Sequence, residues 1–282
     1  MMEYNFYLLG LRVKLYTPNP IQISERFQPF TCPPFQGEAD CTIRIAYTPL
    51  LQMTENGYWY GLEYYCNTVD EKRIFHCKKR FGTPFAATQI GKNGDIRISV
   101  CPEYTQSFSD MSGILNYIGF ENLLLQHCGL LLHASLIEYD HQGIAFTGPS
   151  GVGKSTQADI WQRCFGAKIL NGDRTALRHT ENGWVAYGSP YAGTSGIYCN
   201  ENTPISALVV LKQGKENKLQ RLSGMQAFYH IWPELSVRRQ DGDFVAEATE
   251  LCTQLLRDIP VYLLECLPET TAATVLKEGL SL

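Results

Sequence analysis

The 282-residue sequence predicts an α/β protein in which a β-rich N-terminal domain, residues 1–108, precedes an α/β domain, residues 109–282. Three observations carry that prediction. Apolar and polar residues alternate with period two as far as about residue 105, the signature of half-buried strands. Beyond a polar stretch, Thr105 to Asp110, strand and helix patterns alternate instead. Within that second part, one glycine-rich loop lies between an apolar strand and a helical pattern.

Taken in order, Leu11-Arg12-Val13-Lys14-Leu15, Ile43-Arg44-Ile45 and Ile96-Arg97-Ile98-Ser99-Val100 each place every second residue on one face. The aromatic segment 57–65, GYWYGLEYY, and KRIFHCKK at 72–79 add two more candidate strands. A helix follows the polar stretch, with Ile114, Tyr117, Ile118, Leu124 and Leu125 at helical spacing. Strands are expected over Leu131 to Tyr139 and Ile144 to Thr147, then a helix from Lys154 to Cys164 and a short strand, Lys168 to Leu170. Ala207 to Leu211 reads as a core strand and Gly224 to Ile231 as a helix. Val245, Ala248, Cys252 and Leu255 share one face of a further helix, and Val261 to Leu264 closes the series as a strand.

Composition narrows the function classes. With 44% hydrophobic and 18% charged residues the chain can fold throughout. A formal net charge of -4, with neither half polybasic, speaks against an extended nucleic-acid-binding face. The N-terminus lacks a basic region followed by an apolar run and a cleavage site, and no stretch reaches the roughly 18 apolar residues of a membrane span. The expected location is therefore cytoplasmic, without a membrane partner. Among the 10 cysteines no C-x-x-C spacing occurs, which points to reduced, mostly buried thiols and away from a zinc site.

The segment Gly148-Pro149-Ser150-Gly151-Val152-Gly153-Lys154-Ser155 fits G-x-x-x-x-G-K-[ST], the P-loop or Walker A pattern, with the flanking strand and helix that pattern requires. The glycines allow a tight loop whose backbone N–H groups turn toward phosphate oxygens, and the helix N-terminus adds positive potential. Lys154 reaches the terminal phosphates, Ser155 joins the shell of a Mg²⁺ ion, and Thr156 carries the loop into the helix. The bland alternative is a glycine-rich turn. Beyond the helix, Ile169-Leu170-Asn171-Gly172-Asp173 sets a carboxylate at a strand end, where it can bind metal or accept a proton, although Asn-Gly-Asp is also good turn chemistry. His133, in an apolar strand upstream, is either a packed residue or a functional imidazole. The other histidines, 76, 127, 141, 179 and 230, read as structural or surface positions.

Residues 130–175, from LLHAS through GPSGVGKS to KILNGD, resemble the HPr kinase/phosphorylase family, including the related kinases found with ribosomally made, modified peptides such as lasso peptides. The resemblance implies a P-loop kinase domain of the HPr kinase type, with a fold shared with ATP-dependent phosphoenolpyruvate carboxykinase. It also implies ATP and Mg²⁺ as cofactors, a functional His133 and, by analogy, a homo-oligomer. In that family the strand after the loop helix ends in two adjacent aspartates; here Gly172 stands where the first is expected and Asp173 is alone. GSPYAGTSGIY, at 188–198, looks like the glycine-rich segment of the peptide-associated members, without the acidic residue of the HPr enzyme's signature.

The expected activity is a Mg²⁺-dependent kinase that moves the γ-phosphoryl of ATP to a hydroxyl on a peptide, a protein or a small metabolite. Catalysis is expected to rest on Asp173, His133 and Lys154, nucleotide binding on Gly148 through Thr156, and metal binding on Ser155 and Asp173. The alternative is a non-catalytic ATP-binding sensor or partner protein, suggested by the missing second aspartate. The N-terminal domain carries no motif and is expected to serve as a lid or docking surface.

Overall fold

The computed structural model describes residues 1–49, 58–60, 63–69, 72–78, 84–91, 94–239 and 241–282. It is a mixed α/β structure with two sheets and several helices, dividing into two compact units, Met1–Gln126 and His127–Leu282. No helix among the described residues is long and apolar enough to cross a membrane.

The first unit contains strands β1 (Met2–Leu8), β2 (Leu11–Thr17), β3 (Cys41–Tyr47), β4 (Tyr58–Tyr60), β5 (Glu63–Val69), β6 (Lys72–Lys78), β7 (Pro84–Ile90) and β8 (Asp95–Val100). They form one sheet in the order β1-β2-β3-β8-β7-β6-β5-β4. The period-two reading is realised directly: Leu11, Val13 and Leu15 are buried while Arg12 is exposed, and Ile43, Ile45, Ile96 and Ile98 face the same core. Strands are present within both segments 57–65 and 72–79, while Gly57, Gly61, Leu62 and Lys79 lie outside the described residues.

The expected single helix near 114–125 is two, α1 (Met111–Ile118) and α2 (Phe120–Gln126). Asp110 caps the first by accepting from the Gly113 N–H at 3.0 Å, and Gly119, with φ of 69°, ends it. Both helices fall in the first compact unit, which ends at Gln126. The first of them packs on the strands of that unit: the Tyr117 hydroxyl donates to the Ala86 carbonyl at 2.8 Å, and its ring meets Phe85 and Phe108 edge-on.

The second unit comprises β9 (Gly129–Tyr139), β10 (Gln142–Thr147), α3 (Lys154–Phe165), β11 (Lys168–Asn171), β12 (Arg174–Thr180), β13 (Gly183–Tyr187), β14 (Asn202–Gln213), β15 (Lys218–Leu222), α4 (Met225–Ile231), α5 (Gly242–Asp258), β16 (Val261–Cys266) and α6 (Thr270–Leu280). Its sheet runs β10-β9-β12-β13-β14-β16-β15, with β11 also on β9 and β14 also on β10. The long strand β14 pairs with β13 through Asn202–Pro204 and with β10 from Ile205 onward, so five strands close on one another. β10, β14 and β16 are parallel, and the glycine loop follows the C-terminal end of β10.

α3 and α6 cover the parallel strands: Trp161, fully buried, packs with Phe146, Val209, Leu264 and Leu276 in one core. α5 starts at an Asp241 cap, whose carboxylate accepts from the Phe244 N–H at 3.1 Å; of the predicted stripe Ala248, Cys252 and Leu255 are buried, with Phe244, and Val245 is half-buried. The cysteines whose side chains are described are free thiols, with Cys41, Cys101, Cys252 and Cys266 buried and Cys128 and Cys164 exposed. Burial pushes the Cys41 and Cys252 thiols up to about 12, which keeps them protonated and unreactive at neutral pH.

Candidate functional site

The loop begins where Thr147 ends β10. Gly148, Gly151 and Gly153 hold φ angles of 134°, 79° and 115°, a left-handed run that other residues adopt only under strain. Pro149, Ser150 and Gly151 are exposed, Val152, Gly153 and Ser155 are half-buried, and Thr156 is exposed on the first turn of α3. The Lys154 side chain turns back across the loop, its ammonium donating to the Gly148 carbonyl at 2.8 Å and the Pro149 carbonyl at 3.2 Å. Lys154 is only 8% exposed. Burial lowers its pKa below the usual lysine value, and the carboxylates of Glu234 and Asp173 act in the opposite direction.

His133 and Asp173 come together through strand register. β11 and β12 run antiparallel to β9, with Lys168 opposite Glu138 and Arg174 opposite His133. Between these two strands lie Gly172 and Asp173, and the register shift of the β11–β9 ladder falls before them, between Ile169 and Asn171. The Asp173 carbonyl accepts from the Ala134 N–H at 2.9 Å, and the Gly172 carbonyl from the Ser135 hydroxyl at 3.2 Å. The fully buried Asn171 amide shapes this turn. Its oxygen accepts from the Asp173 and Arg174 N–H groups at 2.9 and 2.8 Å, and its nitrogen donates to the Ser189 and Tyr191 carbonyls, both at 3.0 Å. Asn171 therefore does the turn chemistry, and Asp173 is left with its carboxylate beside His133, Nε2 to Oδ1 at 3.5 Å.

A third group joins them that sequence reasoning missed. The Glu234 carboxylate lies 3.2 Å from the His133 Nδ1, so the imidazole bridges two acids. Glu234 ends a short 3₁₀ turn, Trp232–Glu234, which backbone pairing fastens to β9: Leu235 bridges Leu132, and the Ser236 N–H donates to the Leu131 carbonyl at 2.9 Å. The same β9 segment is tied to the loop, because the Thr147 hydroxyl donates to the His133 carbonyl at 2.9 Å. Nothing in the local sequence around Trp232-Pro233-Glu234-Leu235 signals this role, since the contact depends on which strand the turn meets.

The glycine-rich segment 188–198 packs on the same corner. A Cβ on Gly193, whose φ is 54°, would stand 2.9 Å from the Asp173 Cβ and Cγ. A Cβ on Gly172 would stand 1.8 Å from the Ser195 hydroxyl oxygen and 2.7 Å from its Cβ, so the position that resemblance assigns to a second aspartate has no room for a side chain. Gly172→Ala is expected to lower stability by about 1–3 kcal/mol, the usual cost of overpacking. Urea unfolding measures it, and Ser195→Gly in the same chain should recover most of the loss; no recovery would mean that the crowding lies elsewhere.

The two arginines nearby serve differently. Arg174 donates to the Ser236 hydroxyl at 3.3 Å and lies over the Tyr191 ring, at the edge of the cluster. Arg178 donates to the His127 carbonyl at 3.3 Å and covers Tyr187, a packing role.

No protein-family model matches the sequence, and no curated protein does. Among solved structures the chain is similar to the Hpr(Ser) kinase/phosphatase from Coxiella burnetii, at 11% identity over 53% of this chain and 95% of that one, with a TM-score of 0.32. A likeness at that level carries no argument about the site, which rests on its own geometry.

Proposed function

We propose that this protein is a Mg²⁺-dependent kinase that transfers the γ-phosphoryl group of ATP to a hydroxyl of a peptide, a protein or a small metabolite. One observation carries the reading: a loop with the full G-x-x-x-x-G-K-[ST] pattern, with a buried lysine across it, stands within electrostatic reach of the Asp173–His133–Glu234 cluster. The loop amides and Lys154 hold the phosphates, and their fixed dipoles meet the charge where it develops. Ser155 and Asp173 are hard oxygen donors that suit Mg²⁺, an ion that commonly takes one or two protein ligands and completes its shell with phosphates and water. Bound there, the ion would neutralise phosphate charge.

The chain's own groups then act on the acceptor. Its hydroxyl oxygen bonds to the γ-phosphorus as the bond from that phosphorus to the β–γ bridging oxygen breaks, and ADP leaves with the electron pair. The hydroxyl proton passes to Asp173 Oδ1 or His133 Nε2, which lie 3.5 Å apart and serve one hydroxyl between them. Glu234, on the other ring nitrogen, holds the imidazole in place. The glycine-rich segment against Asp173 forms the acceptor side of the site.

The experiment is incubation with terminally labelled ATP and Mg²⁺, offering free serine, a mixed Ser/Thr peptide library or no acceptor. Label on an acceptor, reduced about 10-fold or more in Glu234→Gln with the KM for ATP unchanged, supports the kinase. Tight ATP binding without transfer to any acceptor class or to water points instead to a nucleotide sensor.

A further inference from the structure

On the first unit's sheet, the face opposite the buried Leu15, Ile43 and Ile96 is charged. Strand pairing sets its rows across β2, β3 and β8. Lys14 stands opposite Thr42 and Thr42 opposite Asp95; two residues on, Tyr16 stands opposite Arg44 and Arg44 opposite Arg97. With Gly37, Glu38 and Ala39 as a wall, these side chains line an open groove of about 750 Å³. The wall is fastened at both ends. Upstream, the Cys32 N–H donates to the Asn5 carbonyl at 3.0 Å. Downstream, the Asp40 N–H donates to the Arg12 carbonyl at 2.9 Å, and the Asp40 carboxylate accepts from the Arg12 N–H at 2.7 Å.

The cations of the groove are held in place with donors to spare. The Asp95 carboxylate takes the Arg44 Nη1 at 2.6 Å and the Arg97 Nε at 3.5 Å, so one acid orients two guanidiniums whose side chains are 47% and 60% exposed. A guanidinium carries five N–H groups, and pairing with a shared carboxylate leaves the rest of the fork for a ligand. Arg44 also lies over the Tyr16 ring, 5.2 Å from its centre, and the Lys14 ammonium lies 4.9 Å from the centre of the Phe35 ring. Three cations, Lys14, Arg44 and Arg97, thus share the groove with two acids, Asp95 and the exposed Glu38.

That mixture selects among anions. A nucleic-acid backbone calls for a continuous basic face, and its closely spaced phosphates would meet Asp95 and Glu38 as well as the cations. An extended peptide is better matched. Its side chains on one face recur about every 7 Å, so carboxylates can meet the cations while its backbone N–H groups meet the acids. We propose that this groove is a docking surface for an extended acidic peptide segment, whose carboxylates pair with Lys14, Arg44 and Arg97. All of these residues belong to the first unit, and their chemistry is independent of the kinase reading.

Fluorescence anisotropy with the full chain provides the test. The probes are a labelled short peptide with glutamate at alternate positions between serines and threonines, the same peptide with glutamine in their place, and a single-stranded oligonucleotide. The variants are Lys14→Glu and Arg97→Glu in the groove, and Arg257→Glu, an exposed position of α5 that changes net charge equally. Wild type should bind the glutamate peptide at least about 10-fold more tightly than the glutamine peptide, a few-fold for each half-exposed pair. Both groove variants should lose most of that preference, and Arg257→Glu should keep it within about twofold. Equal binding of the two peptides by wild type, binding of neither, or a preference that survives both groove variants overturns the assignment. So does an equal loss in Arg257→Glu, which would make the effect one of overall charge. An oligonucleotide that binds more tightly than the glutamate peptide makes the groove a nucleic-acid surface and overturns peptide docking.

Discussion

Asp173→Asn is expected to lower phosphoryl transfer by about 10³-fold while leaving ATP affinity within a few-fold of wild type, the size expected when a group that acts on the reacting atoms loses its charge. The substitution is a clean one. The hydrogen bonds that shape the turn use the Asp173 backbone, its N–H to Asn171 and its carbonyl to Ala134, and these survive in the variant. The amide also matches the carboxylate in volume, so the close approach of Gly193 is unchanged. What disappears is the negative oxygen beside the His133 Nε2, with its capacity to take a proton or hold a cation. Single-turnover transfer and equilibrium binding, measured on the same preparation, test this. Transfer at the wild-type rate would remove Asp173 from the chemistry and return Asn-Gly-Asp to a turn alone.

Lys154→Ala should weaken ATP binding by about 10²-fold and transfer by at least as much. The ammonium is held over the loop by two carbonyls and shielded from water, so its attraction to phosphate is little screened. A charge-assisted hydrogen bond of this kind contributes about 1.5–3 kcal/mol. The loop itself should persist in the variant, because its path is set by positive-φ glycines and by the Val152 N–H donating to Pro149, not by the lysine stem. Circular dichroism and urea unfolding of the variant provide the check that affinity, and not folding, has been lost.

Much of this site is legible along the chain because its parts are local. The loop, its preceding strand and its following helix lie within one contiguous stretch, where glycine spacing and apolar periodicity can be read directly. The strand end at Asp173 is legible for the same reason. The meeting of Asp173 with His133 is a matter of register between β9 and β12, so it follows from tertiary pairing and was reached only through resemblance. Glu234 lies about a hundred residues from His133, in a 3₁₀ turn without hydrophobic period, and the backbone pairing of Leu235 and Ser236 with β9 brings it there.

In the fold, the buried alternation of β2, β3 and β8 was plain, whereas β15, a largely exposed edge strand, has no such alternation to read. The polar stretch before α1 is plain in composition, whereas the packing of Tyr117 on Ala86 joins residues 31 apart and cannot be read locally. Gly172, an anomaly beside the resembling family, has its reason in Ser195, a residue on a different loop.

The central claim is that Gly148 to Ser155 binds the phosphates of a nucleotide, and titration of MgATP into wild type and Lys154→Ala, side by side, tests it most directly. The account predicts saturable binding at one site per chain in wild type, weakened about 10²-fold in the variant. Wild type that binds no nucleotide, or a variant that binds as tightly as wild type, would contradict it.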